Sequence, residues 1–264
     1  MMTKHFNRGE AMKNYSSLVC LDMDRVLVDH LSTWQYVYDR LSISNDESFS
    51  LYNQGLLDEW DWIKLDIALI KDSVGNEIMT DEALRELMQG MPMMKNWRLL
   101  IGELIKDGAK LAIISGGLQQ TARDIAAQFP SQDLWSRRWG GIDRFTANRY
   151  SDGLDTNLSV FTNGWLRGNQ LSNGQYEIND FGRYQVQMNG KGAIVKMLQR
   201  RYNISKNRTV SVGDSAGDIG MFEESGLAIC FNPWDERPLK YCDKVIEEKD
   251  LAIVLSEIRI FLNQ

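Results

Sequence analysis

Four aspartates stand where apolar runs give way to turns. Asp22 and Asp24 follow LVCL, and Asp214 and Asp218 follow TVSVG. Ser115, with Gly116 and Gly117, follows LAII, and Lys191 lies in NGKGA just before a helical stretch. These residue types suit phosphoryl transfer. One carboxylate can attack phosphorus and form an aspartyl-phosphate. A second, two residues on, can protonate the leaving alkoxide and later take a proton from water. Further carboxylates can hold Mg²⁺, a hard ion that takes oxygen ligands and keeps several waters. The ion offsets the repulsion between an anionic nucleophile and an anionic phosphate. A lysine and a serine meet the transferring oxygens, and glycine amides can cradle them. Singly, each feature has an ordinary reading: a solvated turn, an exposed lysine, or, for Asp218, a carboxylate favoured by a helix dipole. Two such two-aspartate turns in one chain favour the chemistry.

The elements that must bring these residues together follow from hydrophobic patterning. Apolar runs over 17–21, 111–114, 209–212 and 227–231 read as buried strands. Helical spacing covers 31–41, 58–71, 80–88, 97–106, 119–128, 191–202, 216–224 and the stretch from 250, with Thr80 as an N-cap. In the 58–71 helix, Trp62, Leu65 and Leu69 form the apolar stripe, widened by Ile63, Ile67 and Ile70. The SNDES stretch before that helix reads as a polar break. Strands alternating with helices predict an α/β fold, a doubly wound parallel sheet with Rossmann-like character. Its carboxyl edge is where ligands bind, and the six candidate side chains would converge there. Residues 32–94 hold helices and no strand. From 130 to 190, turn signals at 152–153, 163–164, 173–174 and 189–190 predict antiparallel hairpins or a β-rich excursion on the larger sheet. The expected organisation is a loose tail at 1–16, a core of 17–31 and 95–264, and an inserted helical block at 32–94.

Composition narrows the partners. The chain has 264 residues, enough for one large domain with an insert. Thirty Lys+Arg against 36 Asp+Glu give a net charge of −6, which argues against wrapping nucleic acid by charge. Trp135, Trp139 and Trp165 with Arg137, Arg138 and Arg149 read better as a packing or homodimer surface than as a base-stacking platform. No run reaches the ~18 apolar residues of a membrane span, so no membrane partner is expected. Three cysteines are too few for a disulfide framework, and a reducing cytoplasm is the expected location. Trp62 reads as core, in preference to a cage of Trp60, Trp62 and Asp66 around a cationic head group.

DMDRVLVD, IISGG, the lysine before the 191–202 helix and GDSAGDI resemble, in order, the four motifs of the haloacid dehalogenase superfamily. ANRY, FTNGWLRG and FNP add a likeness to its phosphoserine phosphatase-like branch. The resemblance implies Mg²⁺-dependent hydrolysis of a small phosphomonoester. It makes Asp22 the nucleophile and a metal ligand, and Asp24 the general acid/base whose carbonyl also meets the metal. Ser115, Gly116 and Lys191 would bind phosphate, Asp214 would bind metal, and Asp218 would orient its neighbours. The block at 32–94 matches a small cap that closes over substrate. The same core residues would serve a phosphotransferase or mutase, or remain in a catalytically impaired binding or regulatory protein. Several positions depart from the branch. Arg25 stands where Gly, Ser or Thr is usual, and must point away or reach the substrate. Gly217 replaces an asparagine that touches phosphate. Leu31 and Asp66 (with Lys64 nearby) fall where a glutamate and an arginine hold phosphoserine, which weighs against that ester as the substrate.

Overall fold

The computed structural model describes residues 14–129 and 157–263. The tail at 1–13, Trp135, Trp139 and the arginines at 137, 138 and 149 lie outside them, as does the turn signal at 152–153.

The centre is a six-stranded sheet. Its strands are β1 (Ser17–Leu21), β2 (Ala109–Leu118), β3 (Leu158–Asn163), β6 (Thr209–Gly213), β7 (Leu227–Phe231) and β8 (Lys244–Ile246), in the order β3-β2-β1-β6-β7-β8. Every neighbouring pair is parallel. Parallel sheets are covered on both faces, so their strands read as unbroken apolar runs, and all five residues of β1 are buried. Helices α5 (Trp97–Lys106) and α9 (Leu251–Leu262) cover one face. The α7 helix (Lys191–Tyr202) covers the other. Between β6 and β7 the chain makes one 3-10 turn, Ala216–Asp218, and the short helix α8 (Ile219–Glu223). Cys20 and Cys230 are fully buried strand residues without disulfide partners.

The insert comprises α1 (Thr33–Leu41), α2 (Asp46–Asn53), α3 (Glu59–Asp72) and α4 (Asp81–Leu87). Side-chain caps start three of them: Ser32 accepts from Trp34 and Gln35, Asp58 from Asp61, and Thr80 from Ala83. The α2 helix is a correction to the expected polar break. It has only one buried residue, Ser48, and so shows no apolar periodicity. Asp46 and Glu47 in its first turn favour it through the helix dipole, and Tyr52 stacks on Trp62 of α3 at 4.5 Å.

The buried face of α3 is also rotated from the expected stripe. Ile63, Asp66, Ile67 and Ile70 point inward, whereas Leu65 is 42% exposed. An aspartate occupies the inner face because Tyr38 and Ser48 each donate to it at 2.7 Å.

Between 157 and 190 the structure is partly as expected. β4 (Arg167–Gln170) and β5 (Tyr176–Ile178) form an antiparallel hairpin around the turn at 173–174. β3 is instead a parallel edge strand of the main sheet, and the Asn-Gly pairs at 163–164 and 189–190 mark a strand exit and a helix entry. The hairpin leans on the insert: Trp165 and Ile178 share an apolar cluster with Val37, Ile67, Ile70 and Leu84.

Helix α6 (Gln119–Ala127) follows directly on β2. That strand runs four residues past Ile114, and its register against β3 shifts between Ser115 and Leu118. The glycine pair thus sits in a strand irregularity that redirects the chain.

Candidate active site

The carboxyl edge of the sheet gathers the residues singled out above. Asp22 leaves β1 with its backbone N–H on the carbonyl of Val212 in β6, at 2.9 Å. Lys191, the first residue of α7, places Nζ 2.9 Å from Asp22 Oδ1 and 2.7 Å from Asp218 Oδ1. All three side chains are buried. Asp218 Oδ2 accepts from the amides of Asp214 (2.9 Å) and Ser215 (3.1 Å), so both its oxygens are occupied. This packing requires glycine at 213, because a Cβ there would lie 2.3 Å from Asp218 Cγ.

One oxygen each of Asp22, Asp214 and Asp218 lies within 4.8 Å of the others. Burial pushes the Asp22 and Asp214 carboxyls above the usual range; for Asp22 the Lys191 ammonium opposes it and the charge of Asp218 adds to it, and for Asp214 the charges of Asp22 and Asp218 add to it while Lys191 and Arg25 oppose. The two aspartates differ from Asp218 in having oxygens to spare. Among the described residues, Asp22 Oδ1 is used by Lys191 and the Met23 amide, and Asp214 Oδ2 by Arg25, while the other oxygen of each has no protein partner. Crowded, partly unsatisfied carboxylate oxygens are a donor set suited to Mg²⁺. Asp22 and Asp214 would hold it, with Asp218 fixing Lys191 and the loop.

Asp24 is gripped by the start of the insert. Its Oδ1 accepts from the Thr33 amide at 3.1 Å and its Oδ2 from Thr33 Oγ1 at 3.3 Å. Burial, and then the charge of Asp22, raise its carboxyl to about 7, although both Thr33 bonds pull the other way. Thr33 Oγ1 also accepts from the Leu118 amide at 2.7 Å. This residue escaped the sequence reading; its only local signal is its place beside the N-cap Ser32 of α1.

Ser115 is buried two residues beyond Ile113, the partner of Leu21 in β1, and its Oγ accepts from the Gly117 amide at 3.1 Å. A Cβ on Gly117 would fall 2.5 Å from Thr33 Oγ1 and 2.6 Å from Asp24 Oδ2, so no side chain fits there. Gly116 is exposed, and its carbonyl accepts from Trp34 Nε1 at 3.1 Å. Arg25 does not point away from the edge. Its Nε donates to Asp214 Oδ2 at 2.9 Å and its Nη2 to the Asn232 carbonyl at 2.8 Å. The cage of Trp60, Trp62 and Asp66 does not form. Trp60 bonds the Phe181 carbonyl, Trp62 bonds Ser48, and Asp66 faces Tyr38, Ser48 and Asn45.

Comparisons with known proteins bear on the family and the fold. The haloacid dehalogenase-like hydrolase family matches residues 170–257. The phosphoserine phosphatase of Methanocaldococcus jannaschii is 30% identical over 161 residues, 60% of either chain, so the match spans about three fifths of that relative. That of Wolinella succinogenes is 25% identical over 207 residues, 78% of this chain and 81% of the relative. A substrate-bound phosphoserine phosphatase structure superposes with a TM-score of 0.62 at 21% identity, covering 92% of this chain and 98% of its own. A phospho-aspartyl intermediate analogue of phosphoserine phosphatase does so at 0.60, again with 21% identity and coverages of 92% and 98%. The chain is similar to haloacid dehalogenase-like hydrolases over residues 170–257 and has the fold of the phosphoserine phosphatase structures. Within that class the chain is phosphoserine phosphatase-like.

Proposed function

We propose that this protein hydrolyses a small phosphomonoester through an aspartyl-phosphate on Asp22, with Mg²⁺ as its cofactor. One observation carries the reading: at a single strand end, Asp22 sits on the Lys191 ammonium while Asp24, two residues on, is held by Thr33 with its carboxyl near 7. The first residue is placed to be an anion. The second is placed to exchange a proton near neutral pH.

Lys191 and Ser115 orient the phosphoryl group, with the Gly116 amide beside them. An Asp22 oxygen attacks phosphorus in line, and Asp24 gives its proton to the departing oxygen. With that proton gone, Asp24 takes one from water, which cleaves the acyl-phosphate and restores Asp22. Mg²⁺, when bound by Asp22 and Asp214 with the Asp24 carbonyl, supplies charge that lets two anions approach. Helix α1 covers the site, since Thr33 and Trp34 touch Asp24 and Gly116.

The substrate is a small phosphate ester, but the side chains do not favour O-phosphoserine. Leu31 is 46% exposed and offers no charge, and Asp66 is consumed inside the insert. Phosphate release from a panel of small esters, with and without EDTA, tests the reading. Turnover of at least one ester that EDTA abolishes is expected. A binding or regulatory protein is the second reading, favoured by the Arg25 hold on Asp214. Silence across the panel at saturating Mg²⁺ would move it ahead.

A further inference from the structure

Arg25 is not a loose surface cation. Its guanidinium is fixed by Asp214 Oδ2, by the Asn232 carbonyl and by the Trp234 ring, whose centroid lies 4.9 Å from Cζ. Its backbone is left-handed, with φ +61, a conformation that costs a long side chain free energy. The contacts outweigh that cost. The side chain is 19% exposed, and the Asp214 carboxylate it holds is nearly buried.

This position is informative because of what Arg25 shares. It takes one oxygen of Asp214 and leaves the other for a metal. Lys191 in the same way shares Asp22 with the reacting phosphate. The edge thus has four carboxylates (Asp22, Asp24, Asp214, Asp218) and two resident cations, Lys191 on Asp22 and Asp218 and Arg25 on Asp214. A fixed guanidinium one carboxylate away from a metal position repels a divalent ion and draws a phosphate dianion. Arginine suits this role because it remains charged at any working pH.

We propose that Arg25 is a built-in counter-cation that sets the balance between the two ligands, weakening divalent-ion binding and strengthening phosphate binding. The inference rests on the proposed phosphoryl-transfer reading of the site. Its signature is a pair of opposite changes. A residue that merely anchors Asp214 would move both affinities the same way when removed.

The experiment titrates the full chain calorimetrically, first with Mg²⁺ alone and then with inorganic phosphate at saturating Mg²⁺. Arg25→Met keeps length and backbone strain but removes the charge, and Arg25→Lys restores the charge without the paired N–H donors. In Arg25→Met, Mg²⁺ should bind about tenfold tighter and phosphate about tenfold weaker, the scale of one unit charge a few ångströms away at near-aqueous screening. Arg25→Lys should lie near the wild type on both axes. Unchanged affinities in Arg25→Met, or a loss of both, would overturn the proposal. If circular dichroism shows Arg25→Met unfolded, Arg25→Gln takes its place with the same expected signs. Wild-type protein that binds neither Mg²⁺ nor phosphate sinks the phosphoryl-transfer reading itself. Wild type that binds both, with an unaltered Arg25→Met, sinks only the role of Arg25.

Discussion

Buried aspartates occur in two regions of this molecule, and their surroundings differ. In the insert, Asp66 has one oxygen on Ser48 and the other on Tyr38 and Asn45, all neutral donors. Asp81, beside it in the same layer, meets Trp165, Arg167 and Arg85. Each of these carboxylates is saturated by its own neighbours. At the sheet edge, Asp22 and Asp214 each keep an oxygen that no described residue satisfies, and they stand close enough to repel one another. A buried carboxylate whose bonds are complete holds a fold together. One left incomplete beside others like it stores a demand that an ion or a substrate meets.

Breaking the edge should therefore cost activity and spare the fold, and breaking the insert should do the reverse. The largest effect is expected for Asp22→Asn, about 10³-fold or more in kcat on any ester turned over, since the attacking oxygen is lost. Asp24→Asn should follow at about 10²- to 10³-fold, most severe for esters with poor leaving groups, because the proton donor is missing. A comparison of alkyl and aryl phosphates checks that ordering. Near-normal kcat in Asp22→Asn would falsify the nucleophile assignment.

Asp66→Ala should show the opposite profile. It strands the Tyr38 and Ser48 hydroxyls in the insert, at a cost of about 2–4 kcal/mol. Urea unfolding should register that loss while kcat at saturating substrate stays near the wild type. An equal loss of both would show that the insert and the edge are not separable in this way.

The edge should also show a metal-linked response to pH; burial raises the Asp66 carboxyl of the insert in the same direction, but that group takes no part in the linkage. The folded Asp24 carboxyl lies near 7, above its ordinary value of 3.8, and that of Asp214 is raised as well. The folded chain therefore holds protons that the unfolded chain releases, so this stabilisation is complete below about 4 and drains away as pH rises through 7. Bound Mg²⁺ replaces the missing protons. The melting temperature with Mg²⁺ minus that with EDTA should widen between pH 5.5 and 8, by about 5 °C. A gap that narrows would contradict the crowding of charge described here.

The smallest effect is expected for Thr33→Val, about three- to tenfold in kcat. The Thr33 hydroxyl lowers the Asp24 carboxyl, so its loss should shift the alkaline limb of the pH–rate curve, where the proposed proton donor deprotonates, upward. An unchanged limb would sever Thr33 from the chemistry.

Much of the edge was readable from sequence because its logic is local. A strand buried on both faces writes itself as LVCL or TVSV, and the residue after it sits at the sheet edge whatever the rest of the chain does. The insert was harder, because its order comes from contacts between elements. Nothing in DESFSLYN has helical apolar spacing, yet Ser48 and Tyr52 find partners on α3 and the segment winds up. Asp66 was legible as a carboxylate but not as an inward-facing one, since that depends on hydroxyls from two other helices. The pairing of β3 with β2 is likewise non-local, so alternation and turn residues alone suggested hairpins. Arg25 offered two directions in sequence, and the inward one is set by Asp214 and Asn232, 189 and 207 residues away.

Thr33 has one more implication. A single hydroxyl joins the first turn of α1, Asp24 and the strand that carries Ser115. Any swing of α1 away from the sheet would strip Asp24 of both its Thr33 donors and admit water to a carboxyl raised chiefly by burial, so that its proton would pass to solvent more readily. Under the proposed reaction the helix and the acid would be coupled: with α1 swung out, Asp24 would already have lost its proton to water near neutral pH, and the leaving group would find no donor.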